Sequence, residues 1–277
     1  MQKIDKILIG IAFSPKLKSN IFEAIRLANR FDAELIGVHV GEKTTQKTTD
    51  LNALLKEADP LHKSFKVIWK KGKPVDVILQ TCTNQNIDLL ILGALQQENL
   101  FKYYVGSIAR KITRKAPCSV LLLIKPSTVR VPCKHIVVNG LSDSRTEETI
   151  KTSFFITKKI GCKKITIVEE IKQEELHVKI NDDASLRRAN IAKERIKKRE
   201  DKRVRNILKE IDCSNLTIKT QSIFGKSGYS IGHYAKLKRA DLLVMNAPTK
   251  SGVFSLIFPQ DIEYILSELP TDVLIVR

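Results

Sequence analysis

The 277 residues give room for two domains, and 43% hydrophobic with 28% charged residues is a folded, globular composition that excludes wholesale disorder. Apolar runs such as Val120–Ile124 fall far short of the roughly 18 residues a membrane span needs, and the first residues show no signal-peptide pattern. Five scattered cysteines without a C-x-x-C pair argue against a disulfide framework or a structural zinc site, so a cytoplasmic protein without a transmembrane segment is expected. The net charge of +18 predicts attraction to polyanions.

The first predicted strand, Ile7–Ala12, is wholly apolar, as in a strand buried on both faces. Ser14-Pro15 reads as N-cap and first residue of a helix, with Ser19 or Asn20 as alternative starts. Ile21, Ile25 and Ala28 then recur at helical spacing. Leu35–Val40 is a second strand, and a polar stretch over Glu42–Asp50 leads into a short helix around Leu51–Ala58. Phe65–Trp69, Leu89–Leu92 and Val120–Ile124 complete five strands, with helices over Val75–Thr83 and Ile108–Lys115 between them. Strands alternating with helices mean right-handed crossovers and a parallel sheet covered on both faces.

The pattern then repeats. An offset of 153 residues lays Phe65–Ile124 over Ile218–Arg277 without a gap, superposing Gly72-Lys73 on Gly225-Lys226 and Asp88-Leu89-Leu90 on Asp241-Leu242-Leu243. Nearer the start of each copy the offset falls to about 128 to 130, with Lys6–Ala12 facing Lys134–Gly140 and Leu35–Val40 facing Ile165–Glu170. The second copy therefore carries about 25 extra residues between its second and third strands. The expected architecture is α/β, with two tandem five-stranded, doubly wound domains over residues 1–126 and 132–277 and a basic helical insertion near 173–200. Between Arg187 and Lys209, eleven basic residues face only Glu194, Glu200 and Asp201. Ala189, Ala192, Ile196, Val204, Ile207 and Ile211 keep one helical face apolar. One amphipathic helix over about 184–211 is predicted, docked by its C-terminal half and projecting a positive N-terminal half. Without an aromatic residue for base stacking, this face suits an acidic protein or weak polyanion binding through residues 187–209.

In open parallel sheets a ligand sits beyond the carboxyl ends of the strands, where strand order reverses. Gly93 ends the fourth strand of the first copy, and Gly106-Ser107 opens a helix whose free N–H groups and dipole favour an anion. Gly93-Ala94-Leu95-Gln96, nine residues, then Gly106-Ser107 resembles the Gly-x2-Gly-x9-Gly-Ser/Thr ATP-binding signature of the universal stress proteins, with Gln96 replacing the second glycine. Lys6-Ile7-Leu8-Ile9, Ile36-Gly37-Val38-His39-Val40, Asp88–Gly93 and Ala116–Leu121 also resemble that family, and the whole chain resembles a tandem member with the adenine-nucleotide α-hydrolase-like fold.

The resemblance implies a non-catalytic stress-response protein whose first half binds ATP or AMP, with phosphates over Gly106-Ser107 and the base near Val40. The family's nucleotide binders commonly carry an Asp after the first strand, where Phe13-Ser14 stand here. The second copy reads Asn246-Ala247-Pro248-Thr249, then Pro259-Gln260, and has lost every motif glycine. The candidate site is thus Ser14, Val40, Gly93, Gln96, Gly106 and Ser107, with no metal site and no catalytic residues assigned. The alternatives are an adenylating enzyme of the α-hydrolase group, whose Ser-Gly-Gly-x-Asp-Ser loop Ala12–Lys16 does not match, or a nucleic-acid binder. Members of the family often dimerise through the last strand, so a pseudo-dimer of the two halves is expected, with a homodimer as a further possibility.

Overall fold

The computed structural model describes residues 3–58, 65–96, 103–172, 181–226, 228–247 and 260–277. Its first half contains β1 (Lys6–Gly10), α1 (Leu17–Phe31), β2 (Glu34–Val40), α2 (Thr45–Ala58), β3 (Phe65–Lys70), α3 (Pro74–Asn84) and β4 (Leu89–Gly93). A short antiparallel ladder of β5 (Leu95–Gln96) and β6 (Tyr103–Tyr104) follows, then α4 (Ser107–Lys115) and β7 (Ser119–Leu123). The second half runs β8 (Ile136–Asn139), α5 (Thr146–Ile160), β9 (Lys164–Lys172), α6 (Asp183–Leu208) and β10 (Thr217–Gly225). It closes with α7 (Tyr229–Leu237), β11 (Leu242–Asn246), α8 (Gln260–Ser267) and β12 (Asp272–Val276).

Ten strands form one sheet in the order β10-β9-β8-β11-β12-β7-β4-β1-β2-β3. Every neighbouring pair is parallel except β12 with β7, which run antiparallel with Val273, Leu274 and Ile275 opposite Leu122, Leu121 and Val120. The strands sit here because their residues are apolar in succession: Ile7, Leu8 and Ile9 are all 0–1% exposed, as only a strand covered on both faces allows. One core layer holds the buried side chains of α1, α2, α5 and α6, and the other those of α3, α4, α7 and α8. The result is an α/β protein with helices on both faces of a mostly parallel sheet.

Side-chain contacts tie the two five-stranded groups together at the β7–β12 seam. Asp272 Oδ1 accepts the Ile124 N–H at 2.8 Å, and Ser119 Oγ accepts the Arg277 N–H at 3.2 Å. Arg110 Nη1 donates to Glu263 Oε2 at 2.8 Å, and Arg114 Nε donates to Glu263 Oε1 at 3.0 Å.

Several local expectations are corrected. Helix α1 begins at Leu17 rather than at Ser14-Pro15, because Ser14 and Pro15 form a turn in which the Ser14 carbonyl accepts the Leu17 N–H. Strand β1 ends at Gly10, and Ala12 beyond it is exposed. Helix α2 takes in the polar stretch from Thr45, which its own side chains support: Thr48 Oγ1 donates to the Thr44 carbonyl, and Gln46 to Asp50.

The basic segment is the crossover helix between β9 and β10, standing where α2 stands in the first half and running to 26 residues. Its N-terminal half does not project: Ser185 and Ala189 are as buried as Val204 further along, and Lys193 lies over the Phe224 ring at 5.6 Å. Asp182 and Ser185 close a capping box that starts the helix. The beginning of the expected insertion, residues 173–180, lies outside the described residues. Among the described residues no helix is long and apolar enough to cross a membrane.

Candidate ligand sites at the strand ends

In the first half the sheet runs β3-β2-β1-β4-β7, so the direction of winding reverses between β1 and β4. The carboxyl ends of these two strands flank a crevice of the kind in which α/β sheets bind ligands. Gly93 ends β4 there, Ser14 lies in the exposed turn after β1, and Val40 ends β2 on the next strand along. The β5–β6 ladder pairs the backbone of Gln96 with Tyr103, and the chain then reaches Gly106, the N-cap of α4, and Ser107, its first residue. No side chain caps this helix start.

Two residues at this crevice were not singled out as ligands from the sequence. A Cβ at Gly93 would stand 2.8 Å from Nδ2 of Asn20, so the missing side chain lets the Asn20 amide settle on the strand end. The Oδ1 of Asn20 is buried without a hydrogen-bond partner. Lys16 reaches across to the carbonyl of Ile124 at 3.1 Å, and burial together with Lys125 lowers its pKa. In sequence these two are merely polar residues at a helix start; only the packing brings them over β4 and β7.

After β1, where the sequence resemblance implies an aspartate, the chain places an aromatic group. Phe13 stacks on Trp69 at 6.1 Å and meets His39 edge-on at 5.0 Å. Lys47 lies over the Phe13 ring at 5.4 Å, and its Nζ is 3.4 Å from His39 Nε2. His39 Nδ1 is 3.0 Å from the Ile11 carbonyl, so its ring is held at the end of β2.

The second half reverses between β8 and β11, and its crevice is built differently. Asn246 stands at the end of β11, where it donates to Thr146 Oγ1 at 3.1 Å and approaches Asp143 Oδ1 at 3.5 Å. Its own Oδ1 is buried and unpartnered. Gln260 opens α8, while Pro248, Thr249 and Pro259 lie outside the described residues.

Beside this crevice is a cavity of about 300 Å³ lined by Gly140, Leu141, Ser142, Asp143, Glu169, Glu170, Ile171 and Glu200. Glu170 accepts the backbone N–H groups of Gly228 and Ile231 at the start of α7. Glu200 is held by Arg199 and Arg203, each at 2.8 Å, and Arg203 also donates to the Gly140 carbonyl. Glu169 is 2% exposed; Ser222 donates to its Oε2 at 2.7 Å, and its Oε1 has no partner. Burial is the main cause that pushes the Glu169 carboxyl above its usual range.

Comparison with known proteins agrees with this geometry. Residues 3–123 match the Universal stress protein family. A universal stress protein of Methanothermobacter thermautotrophicus is 27% identical over 60 residues, which is 22% of this chain and 40% of that protein's length. Among solved structures, a functionally unknown protein of Pseudomonas aeruginosa PAO1 has a TM-score of 0.71 at 17% identity, covering 99% of this chain and 92% of its own. A universal stress protein from Archaeoglobus fulgidus has a TM-score of 0.65 at 14% identity, covering 98% of both chains. These two likenesses establish the fold along nearly the whole chain. Residues 3–123 are the part that matches the family, and the likeness of the remaining residues to solved structures is one of fold.

Proposed function

We propose that the protein is a non-catalytic, regulatory universal stress protein whose first half binds an adenine nucleotide, ATP or AMP. The observation that carries this reading is the start of α4, where Gly106 and Ser107 open a helix of nine residues that no side chain caps. Its first N–H groups and the helix dipole suit phosphate oxygens. With phosphates there, the base extends past Ser14 toward Val40, along the carboxyl ends of β1 and β2. Lys16 adds a cation at the rim and Asn20 Oδ1 an acceptor. Phe13, in the place of a carboxylate, gives the nucleotide an apolar ring to pack on. The second half offers Asn246 in place of the glycine, so it is read as a diverged counterpart that joins the first in an intramolecular pseudo-dimer.

The test is acid extraction of the purified protein with nucleotide chromatography, followed by calorimetric titration with ATP and AMP. Binding is expected in the parent protein and lost in Gly106→Pro, which removes one N–H from the helix start while the circular dichroism spectrum is unchanged. Nucleotide binding that survives Gly106→Pro and is lost on substitution of Asn246 would overturn this reading.

A further inference from the structure

The strongest unexplained feature lies in the second half, in the cavity at the ends of β8 and β9. In a chain of net charge +18, four carboxylates around one small cavity reverse the local sign. Two of them are compensated: Glu170 by the start of α7 and Glu200 by its two arginines. Glu169 is not. It is 98% buried by its 2% exposure, lines the cavity, and has one oxygen without a donor.

A buried carboxylate oxygen without a donor is costly, and such groups normally have a partner. Arg203, whose charge acts on Glu169, is engaged by Glu200 and by the Gly140 carbonyl. Asp143, at the exposed mouth, spends its Oδ1 on the Arg145 N–H and adds a second negative charge. The other orphaned atom beside this crevice, Asn246 Oδ1, is also an acceptor. Acceptors in want of donors, under negative charge, call for a cation that carries N–H groups. Among the described residues no three ligand-type side chains converge closely enough to hold a metal ion, which favours an organic cation.

The geometry points to this cavity as a binding site for a small organic cation, a protonated amine that donates to Glu169 and is faced by Asp143. A volume of about 300 Å³ is at the low end for ligand pockets and suits an amine of few heavy atoms. Gly140 keeps the wall thin, since a Cβ there would stand 2.7 Å from Ile167 Cγ2 and 3.2 Å from the Val168 carbonyl. The site is independent of the nucleotide reading of the first half.

The experiment is titration of the full chain with 1,4-diaminobutane at low salt, followed by calorimetry and by thermal shift, with 1,4-butanediol and Mg²⁺ as comparators. Saturable binding of the diamine is expected, weakened about tenfold or more in Glu169→Gln and less in Asp143→Asn, with butanediol silent. Glu169→Gln keeps an acceptor for Ser222, and Asp143 is exposed, so one of the two variants reports on a folded protein. Gly106→Pro leaves diamine binding unchanged. No saturable diamine binding, binding indifferent to both substitutions, or a Glu169-dependent response to Mg²⁺ alone would each overturn the assignment.

Discussion

Arg110 and Glu263 form a 2.8 Å ion pair across the β7–β12 seam, and they stand 153 residues apart. That is the offset that carries β4 onto β11 and α4 onto α8. Leu121 and Leu274, opposite one another in the antiparallel ladder, are related by the same offset. Ile124 bonds to Asp272 while Arg277 bonds to Ser119, and each of these two bonds is the other's counterpart under that shift. Contacts in which i meets j and j meets i are the mark of an isologous interface.

It follows that residues 1–126 and 132–277, expressed as separate chains and mixed, associate one to one. Each alone leaves an apolar strand, β7 or β12, as an open edge. Sedimentation of the mixture checks this; two stable monomers with no affinity for each other would contradict it.

Glu263 serves two arginines on one helix face, Arg110 and Arg114. Glu263→Ala leaves these like charges four residues apart without their counter-ion, and a loss of about 1–2 kcal/mol is expected for this partly exposed cluster. Urea unfolding measures the loss, and it should shrink as salt rises.

Asp272 supplies a pH dependence. Burial pushes its carboxyl up to about 6, although it accepts the Ile124 N–H. Between about pH 4 and pH 6 the unfolded chain releases this proton while the folded chain keeps it, so stability falls as pH rises through that window. Asp272→Asn retains an oxygen for Ile124 and removes the ionisation. Thermal melts should show the variant more stable at pH 7, by about 1–2 kcal/mol, and level with the parent near pH 4.

The outer face of α6 exposes Arg195, Lys198, Arg199 and Lys202. Changing all four to Gln should weaken retention on heparin or labelled RNA at low salt and reduce the salt slope, with a small fall in melting temperature from the lost Arg199–Glu200 pair, since Arg203 still holds Glu200. Equal retention by parent and variant would leave these charges as a solvated face.

The sheet and its crossovers were legible in the sequence because apolar runs such as Leu89–Leu92 have no other use than a strand covered on both sides. Counterpart glycines, aspartates and prolines then gave the repeat its register. The same reading misplaced the docking of α6: Ala189 stands on the predicted apolar face, but Ser185 one turn before it gives no hydrophobic signal although it is buried. In the sequence Glu200 is only one of three acidic residues set against a basic run, and the helix turns it inward to meet Arg203, which reaches on to Gly140. Of the candidate site, Gly93, Gly106 and Ser107 were readable from spacing. Asn20, Lys16, Glu169 and the unpartnered oxygens were not, because their roles depend on neighbours distant in sequence, such as Ile124 and Ser222.

The antiparallel pairing of β12 with β7 also fixes the molecule's polarity. Carboxyl ends of the first five strands point to one pole of the sheet, and those of the second five to the opposite pole. A ligand over Gly106 and one beside Glu169 therefore never share a surface, and a single partner protein docked at one pole reads only one of them.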